Sequence, residues 1–198
     1  MDYLIHLIST VGYFGYGILF VILFLESFPL TFFLPGDSLL VTVGLLASQG
    51  QLDIWKLNLF LVPAAIMGDS MGYAIGHFMG PKIFRRDESF FFKKTHLERT
   101  HQFFEKYGGK TIILARFVPI VRTFAPTVAG VGSMSYRRFL SFNVFGGILW
   151  VPGMTLIGYF LGRTVPDISK HLHVVIVIVI AVSFLPILFE WFKSRKSA

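Results

Sequence analysis

Residues 111–136 read TIILARFVPIVRTFAPTVAGVGSMSY, an apolar run long enough to enter a bilayer that nevertheless carries Arg116 and Arg122. An arginine at the bilayer centre costs roughly 2.5–3.5 kcal/mol on insertion scales, so two of them in one hydrophobic segment point to a water-filled cavity or a bound anion. Pro119 stands between the arginines, Pro126 follows, and Gly130 and Gly132 close the run. Proline removes an amide donor and clashes with the preceding turn, which makes one straight spanning helix a poor solution. A broken or re-entrant hairpin is expected instead. Irregular backbone at membrane depth survives only where it is buried in protein or lines a cavity, and the same surroundings make two arginines tolerable.

Working outward, the composition agrees. The 198 residues are 54% hydrophobic and 17% aromatic, and 23 Phe stand against 18 Lys plus Arg and 11 Asp plus Glu. With a mean hydropathy of +0.67, this is the profile of an integral membrane protein. The N-terminus, MDYLIH, lacks a basic region before a long apolar run, so insertion is expected to use the mature helices rather than a cleaved leader. Cysteine is absent, which excludes disulfides and thiolate metal sites. The net charge of +7 does not indicate nucleic-acid binding, because the basic residues cluster at segment ends as membrane topology requires.

In chain order, residues 1–10 are weakly amphipathic. Residues 11–34 carry a single charge, Glu26, followed by Pro29 and then Leu34-Pro35-Gly36-Asp37-Ser38, so a helix entering at Val11 should break between Ser27 and Pro35. The apolar segment 38–49 is too short to span about 30 Å at roughly 1.5 Å per residue, so 11–50 reads as a first hairpin, with Asp37 placed to cap its second limb. Residues 54–80 form a full span with Asp69 near its middle and a ladder of Gly68, Gly72, Gly76 and Gly80 at the four-residue spacing of a packing face. Residues 81–110 turn basic and read as a cytoplasmic amphipathic connector. After the arginine-bearing hairpin at 111–136, uncharged residues 139–162 and the Val- and Ile-rich stretch 172–192 form two further spans. The basic tail of Lys193, Arg195 and Lys196 puts the C-terminus on the cytoplasmic side.

An internal echo runs through this layout: at an offset of 86, Gly44 matches Gly130, Gly72-Tyr73 matches Gly158-Tyr159, and Gly76 matches Gly162. The expected fold is an all-α integral membrane protein, a single membrane domain over 1–198. Two opposed re-entrant hairpins and about three full spans form an inverted repeat, with the site where the broken helices meet.

Four blocks together carry a recognisable pattern: Glu26 with Pro29; Leu34-Pro35-Gly36-Asp37-Ser38; Gly68-Asp69-x-x-Gly72-Tyr73; and Arg116-Phe117-Val118-Pro119-x-x-Arg122-Thr123-x-x-Pro126-x-x-Ala129-Gly130. The chain resembles the DedA family (VTT, SNARE-associated type) over roughly residues 11–163. The resemblance implies a bacterial inner-membrane protein related to eukaryotic lipid scramblases. It further implies links to recycling of the carrier lipid undecaprenyl phosphate, to the proton motive force and to cationic-peptide resistance. It also implies functional acidic residues at Glu26 and Asp37 and functional arginines at Arg116 and Arg122.

The residues themselves support an anion site. A guanidinium grips a phosphate in two places, and a helix N-terminus such as 37–40 adds amides and the positive end of a dipole. Carboxylates at Glu26, Asp37 and Asp69 are the candidate proton-exchanging groups, since burial disfavours the charged form while a neighbouring arginine favours it. Asp69 could equally be a structural partner for an arginine. Unpaired, five such groups would cost on the order of 12–17 kcal/mol, so pure ion pairing is the plain alternative. The expected function is proton-coupled movement of an anionic isoprenoid lipid phosphate across the inner membrane, with membrane lipids and protons as the other partners. Flipping of phosphatidylethanolamine or another phospholipid, or proton-dependent drug antiport, are the competing readings. A lipid-phosphate phosphatase would need a histidine beside the arginines, and His6, His77, His96, His101, His171 and His173 all lie elsewhere. His96 and His101 miss the four-residue helical spacing and His171-x-His173 lacks a third ligand, so neither metal nor cofactor is expected.

Overall fold

The computed structural model describes residues 13–26, 36–83 and 109–164, and every element among these is helical. We label them α1 (Tyr13–Glu26), α2 (Gly36–Ser48), α3 (Ile54–Ile83), α4 (Lys110–Ala115), α5 (Pro119–Val131) and α6 (Tyr136–Thr164). The amphipathic 1–10 stretch, the 27–35 break, most of the 81–110 connector and the 172–192 span fall outside the described residues.

Among the described residues, two helices are long and apolar enough to cross a membrane. At about 1.5 Å per residue, the 30 residues of α3 and the 29 of α6 reach well beyond a hydrocarbon core of about 30 Å. They coincide with the expected spans 54–80 and 139–162. By contrast α2 and α5, at 13 residues each, fall short of that thickness.

The boundaries follow local chemistry. Asp53 opens α3 by accepting from the amides of Trp55 (2.8 Å) and Lys56 (3.1 Å), a side-chain N-cap. Asp37, expected as the corresponding cap of α2, lies instead inside its first turn, where a carboxylate meets the positive end of the helix dipole. The arginine segment breaks where its proline requires: Val118 is extended (φ −114°, ψ 108°), as a residue before proline must be, and Pro119 starts α5. Pro126 does not break α5, which runs through it to Val131.

The short helices end alike. In α2 the Gln51 amide donates to Leu46 and the Gly50 amide to Ala47; in α5 Met134 donates to Ala129 and Ser133 to Gly130. Both are Schellman turns, whose penultimate residue must be left-handed. Gly50 (φ 77°) fills that place in the first, and Ser133 (φ 55°) does so in the second.

The chain divides into two compact units. In the first (1–16, 33–59 and 151–198), α2 crosses the C-terminal half of α6. A Cβ on Gly44 would overlap the Thr155 carbonyl, and one on Gly158 would overlap the Val41 carbonyl. In the second (17–32 and 60–150), α5 crosses α3 in the same manner. Gly130 lies against the Tyr73 carbonyl and Gly76 against the Thr127 carbonyl. Each glycine thus meets the carbonyl three residues before its partner glycine. Such backbone contact is how helices associate where no hydrophobic effect drives them together.

These crossings correct the register of the repeat. The short helices do correspond at an offset of 86, with Gly44 equivalent to Gly130. The long helices correspond at 82, with Gly158 equivalent to Gly76 and Gly162 to Gly80. The cause is linker length: α3 begins ten residues after Gly44, whereas α6 begins six after Gly130. The pairing is also exchanged, since each short helix crosses the long helix that follows the other short helix.

Candidate functional site

The second unit contains four of the charged candidates. Glu26 ends α1, Asp69 sits mid-way along α3, Arg116 caps the C-terminus of α4, and Arg122 lies in the first turn of α5. The break at Val118 permits this arrangement, since it redirects the chain between the two arginines.

Arg116 is 5% exposed and Asp69 6%. The Arg116 guanidinium donates to the Asp69 carboxylate and to the Asn143 side-chain oxygen. Asn143, wholly buried on α6, is itself held by its amide group, which donates to the Ile66 carbonyl at 3.0 Å. Below the arginine is a glycine: a Cβ on Gly146 would lie 2.9 Å from Arg116 Cδ and 3.1 Å from Nε. Arg116 is therefore fixed by carboxylate, amide and helix backbone together.

Arg122 is somewhat more exposed than Arg116. Its Nη2 donates to Glu26 Oε1 at 2.7 Å, and its side chain is 12% exposed against 4% for that of Glu26. Trp150 serves both cations, with its ring centroid 4.9 Å from the Arg122 Cζ and 6.0 Å from that of Arg116. A cation over an aromatic face is stabilised by the ring quadrupole, by about 2 kcal/mol or more once desolvated. Glu26, Asp69, Arg116, Arg122, Thr123 and Trp150 enclose a cavity of about 20 Å³, which is room for about one water molecule.

Four of the five sequence-identified residues thus meet in one place. Asp37 does not line this cavity; it belongs to the other unit. Asn143, Gly146 and Trp150 were not identified from the sequence, and Thr123 stood there only as part of the arginine block. The available signal was weak: an amide and an indole in mid-span, away from the interfacial belts that tryptophan favours. Among the described residues, no three His, Asp or Glu side chains converge as a metal site.

The VTT domain model matches residues 34–160, from α2 to α6 and including Asp69, Arg116, Arg122, Asn143 and Trp150. The chain is also 48% identical to Protein DedA of Escherichia coli K12, over the whole of this chain and 94% of that protein. The chain belongs to the DedA (VTT-domain) family. Other relatives are named as membrane proteins. An uncharacterized membrane protein of Mycobacterium leprae is 46% identical over 96% of this chain and 86% of its own length. Inner membrane protein YqjA of Escherichia coli K12 is 39% identical over 75% of this chain and 68% of its own. No solved structure matches the chain. Membership of the DedA family and two long apolar helices together make it a membrane protein.

Proposed function

We propose that the chain moves an anionic lipid phosphate, with undecaprenyl phosphate the first candidate, across the bacterial inner membrane, coupled to proton uptake at Glu26. In this reading α2 and α5 are the short limbs of two opposed re-entrant hairpins, and the basic segment 81–110 and the C-terminus face the cytoplasm. The observation that carries the reading is the pair of guanidiniums, one buried and one half-buried, each closed onto a carboxylate around a cavity too small for a phosphate. A lipid phosphate must therefore take the place of a carboxylate on an arginine.

Arg122 is the better exchanger. Arg116 is locked by Asp69, Asn143 and Gly146, whereas Arg122, its side chain 12% exposed against 5% for Arg116, meets Glu26 and the face of Trp150. When the phosphate displaces Glu26, a buried carboxylate loses its counter-charge, and taking up a proton relieves the cost. Opening the pair thus couples headgroup binding to protonation. The isoprenoid tail remains in lipid throughout.

The test is Arg122→Lys in proteoliposomes carrying labelled undecaprenyl phosphate. Lysine keeps the charge but loses the planar fork that grips phosphate bidentately, so flipping should be abolished, while Arg116→Lys should reduce both flipping and folding. Wild-type flipping by both variants would remove the phosphate clamp.

A further inference from the structure

The second unit contains another, much larger cavity, of about 460 Å³, well within the roughly 300–1,000 Å³ typical of small-molecule sites. One wall is a helical stripe of α3 that includes Ser70, Tyr73 and His77. The other is the turn from α5 into α6, which brings Ser133, Ser135 and Tyr136. The Tyr73 hydroxyl donates to the Met134 carbonyl and so fastens the turn to α3. His77, Ser133, Ser135 and Tyr136 are exposed at the rim, so the cavity opens to the outside.

Its chemistry favours an anion. Serine and tyrosine hydroxyls and an imidazole line it together with Ala74, Phe78 and Met134, and among the described residues no carboxylate does. It sits at the start of the 29-residue helix α6, whose first turn continues from Tyr136 into the exposed Arg137 and Arg138. It also reaches inward. Ser70, on its wall, lies 3.4 Å from the Asn143 amide nitrogen, and the oxygen of the same amide accepts from Arg116. A third feature concerns Ser133, which holds a left-handed conformation where the equivalent turn after α2 uses Gly50. A non-glycine residue there costs of order 1–3 kcal/mol, and in return it places a hydroxyl at the rim.

We infer that this cavity is a vestibule that takes the phosphate monoester headgroup of the lipid from the membrane surface and passes it along Ser70 and Asn143 toward the arginines. The inference rests on the lipid-phosphate reading above and gives it a second site. The headgroup docks among the hydroxyls beside Arg137 and Arg138 with its tail in the bilayer.

The natural absence of cysteine supplies the test. Ser135→Cys, in an otherwise unchanged chain in detergent, places a single reporter thiol on the rim, and its rate of maleimide labelling is measured with farnesyl phosphate, farnesol or inorganic phosphate. Farnesyl phosphate at about ten times its Kd should slow labelling about tenfold by occupancy alone, and farnesol should not. Protection should persist when Arg122→Lys is added, because docking precedes transfer to the arginine. Ala74→Phe, which fills the cavity, should remove protection and raise the lipid concentration for half-maximal flipping without lowering the maximal rate. If the chain flips undecaprenyl phosphate yet farnesyl phosphate gives no protection, the vestibule is wrong and the lipid-phosphate reading stands. If there is neither flipping nor protection, the reading itself fails. Protection by farnesol equal to that by farnesyl phosphate would make the cavity an apolar sink. Protection by inorganic phosphate alone would assign it to a soluble anion. Either result overturns the proposal.

Discussion

At the crossing of α2 and α6, Gly44 and Gly158 bring two helix backbones into contact; at the crossing of α5 and α3, Gly130 and Gly76 do the same. Aligning the short helices at 86 and the long ones at 82 lets the two units be compared residue by residue. Arg122 has Gly36 as its equivalent, Asp69 has Val151, and Thr123 has Asp37. The crossing is therefore scaffold, since it persists where the charges do not. The arginine–carboxylate pairs were placed on one copy only, and the position that holds a cavity-lining threonine in the second unit holds the Asp37 carboxylate in the first.

The largest effect expected from breaking this comparison is at Asp69. Asp69→Ala leaves Arg116 buried without its carboxylate, a change that typically costs about 3–5 kcal/mol. It should lower thermal stability and yield sharply, whereas Val151→Ala, at the equivalent uncharged place, should cost far less. Melting curves in detergent for the two variants check this, and equal losses would mean that the ion pair contributes nothing beyond packing.

The crossings come next. Gly44→Ala and Gly130→Ala each press a methyl group against a backbone carbonyl that cannot move aside alone, an overpacking cost of about 1–3 kcal/mol or more. If the two crossings are the same device, their melting temperatures should fall by similar amounts. A large loss at one and none at the other would show that only one crossing carries the fold.

A subtler change sharpens the comparison from within the site. Gly146→Ala intrudes on Arg116 Cδ and Nε, flexible side-chain atoms rather than backbone, so the protein should fold with modest loss and yet flip lipid more slowly. Flipping rate and melting temperature measured on the same preparation separate the two effects.

The smallest effect is at Asp53, on the surface of the first unit. The Lys56 amide hydrogen bond, with that of Trp55 and the Lys56 charge, holds its carboxyl below the ordinary 3.8. A carboxyl lowered on folding contributes stability that is fully present above the unfolded value and is lost as pH falls through the folded one. Asp53→Ala should therefore be slightly less stable than the natural chain at neutral pH, with the gap closing below about pH 4. A gap that persists at lower pH would assign the effect to something other than the charged cap.

Much of the second unit was legible in the sequence because charge and proline are expensive in a membrane. Arg116, Arg122 and Asp69 stand out in apolar runs, and Pro119 dictates a break between the arginines. The shortness of the 38–49 segment likewise announced a helix unable to span. Asn143, Gly146 and Trp150 were not legible, because a neutral residue in a long helix matters only through the turn it faces, and that depends on the crossing. The repeat was visible but mis-registered by one helical turn. Gly76 matches Gly162 by residue type as well as it matches Gly158, and only the contact to Thr127, equivalent to Val41, decides between them.

The most direct test of the central claim, that the Glu26–Arg122 pair opens by exchanging a carboxylate for a lipid phosphate with proton uptake, uses Glu26→Gln. Glutamine keeps the shape and a hydrogen-bond acceptor for Arg122 but cannot titrate at physiological pH. Well-folded Glu26→Gln protein is reconstituted with labelled undecaprenyl phosphate, and flipping is measured with and without an imposed pH gradient. The expected result is binding of the lipid phosphate and a flipping rate indifferent to the gradient. A response to the gradient equal to that of the natural chain would contradict it.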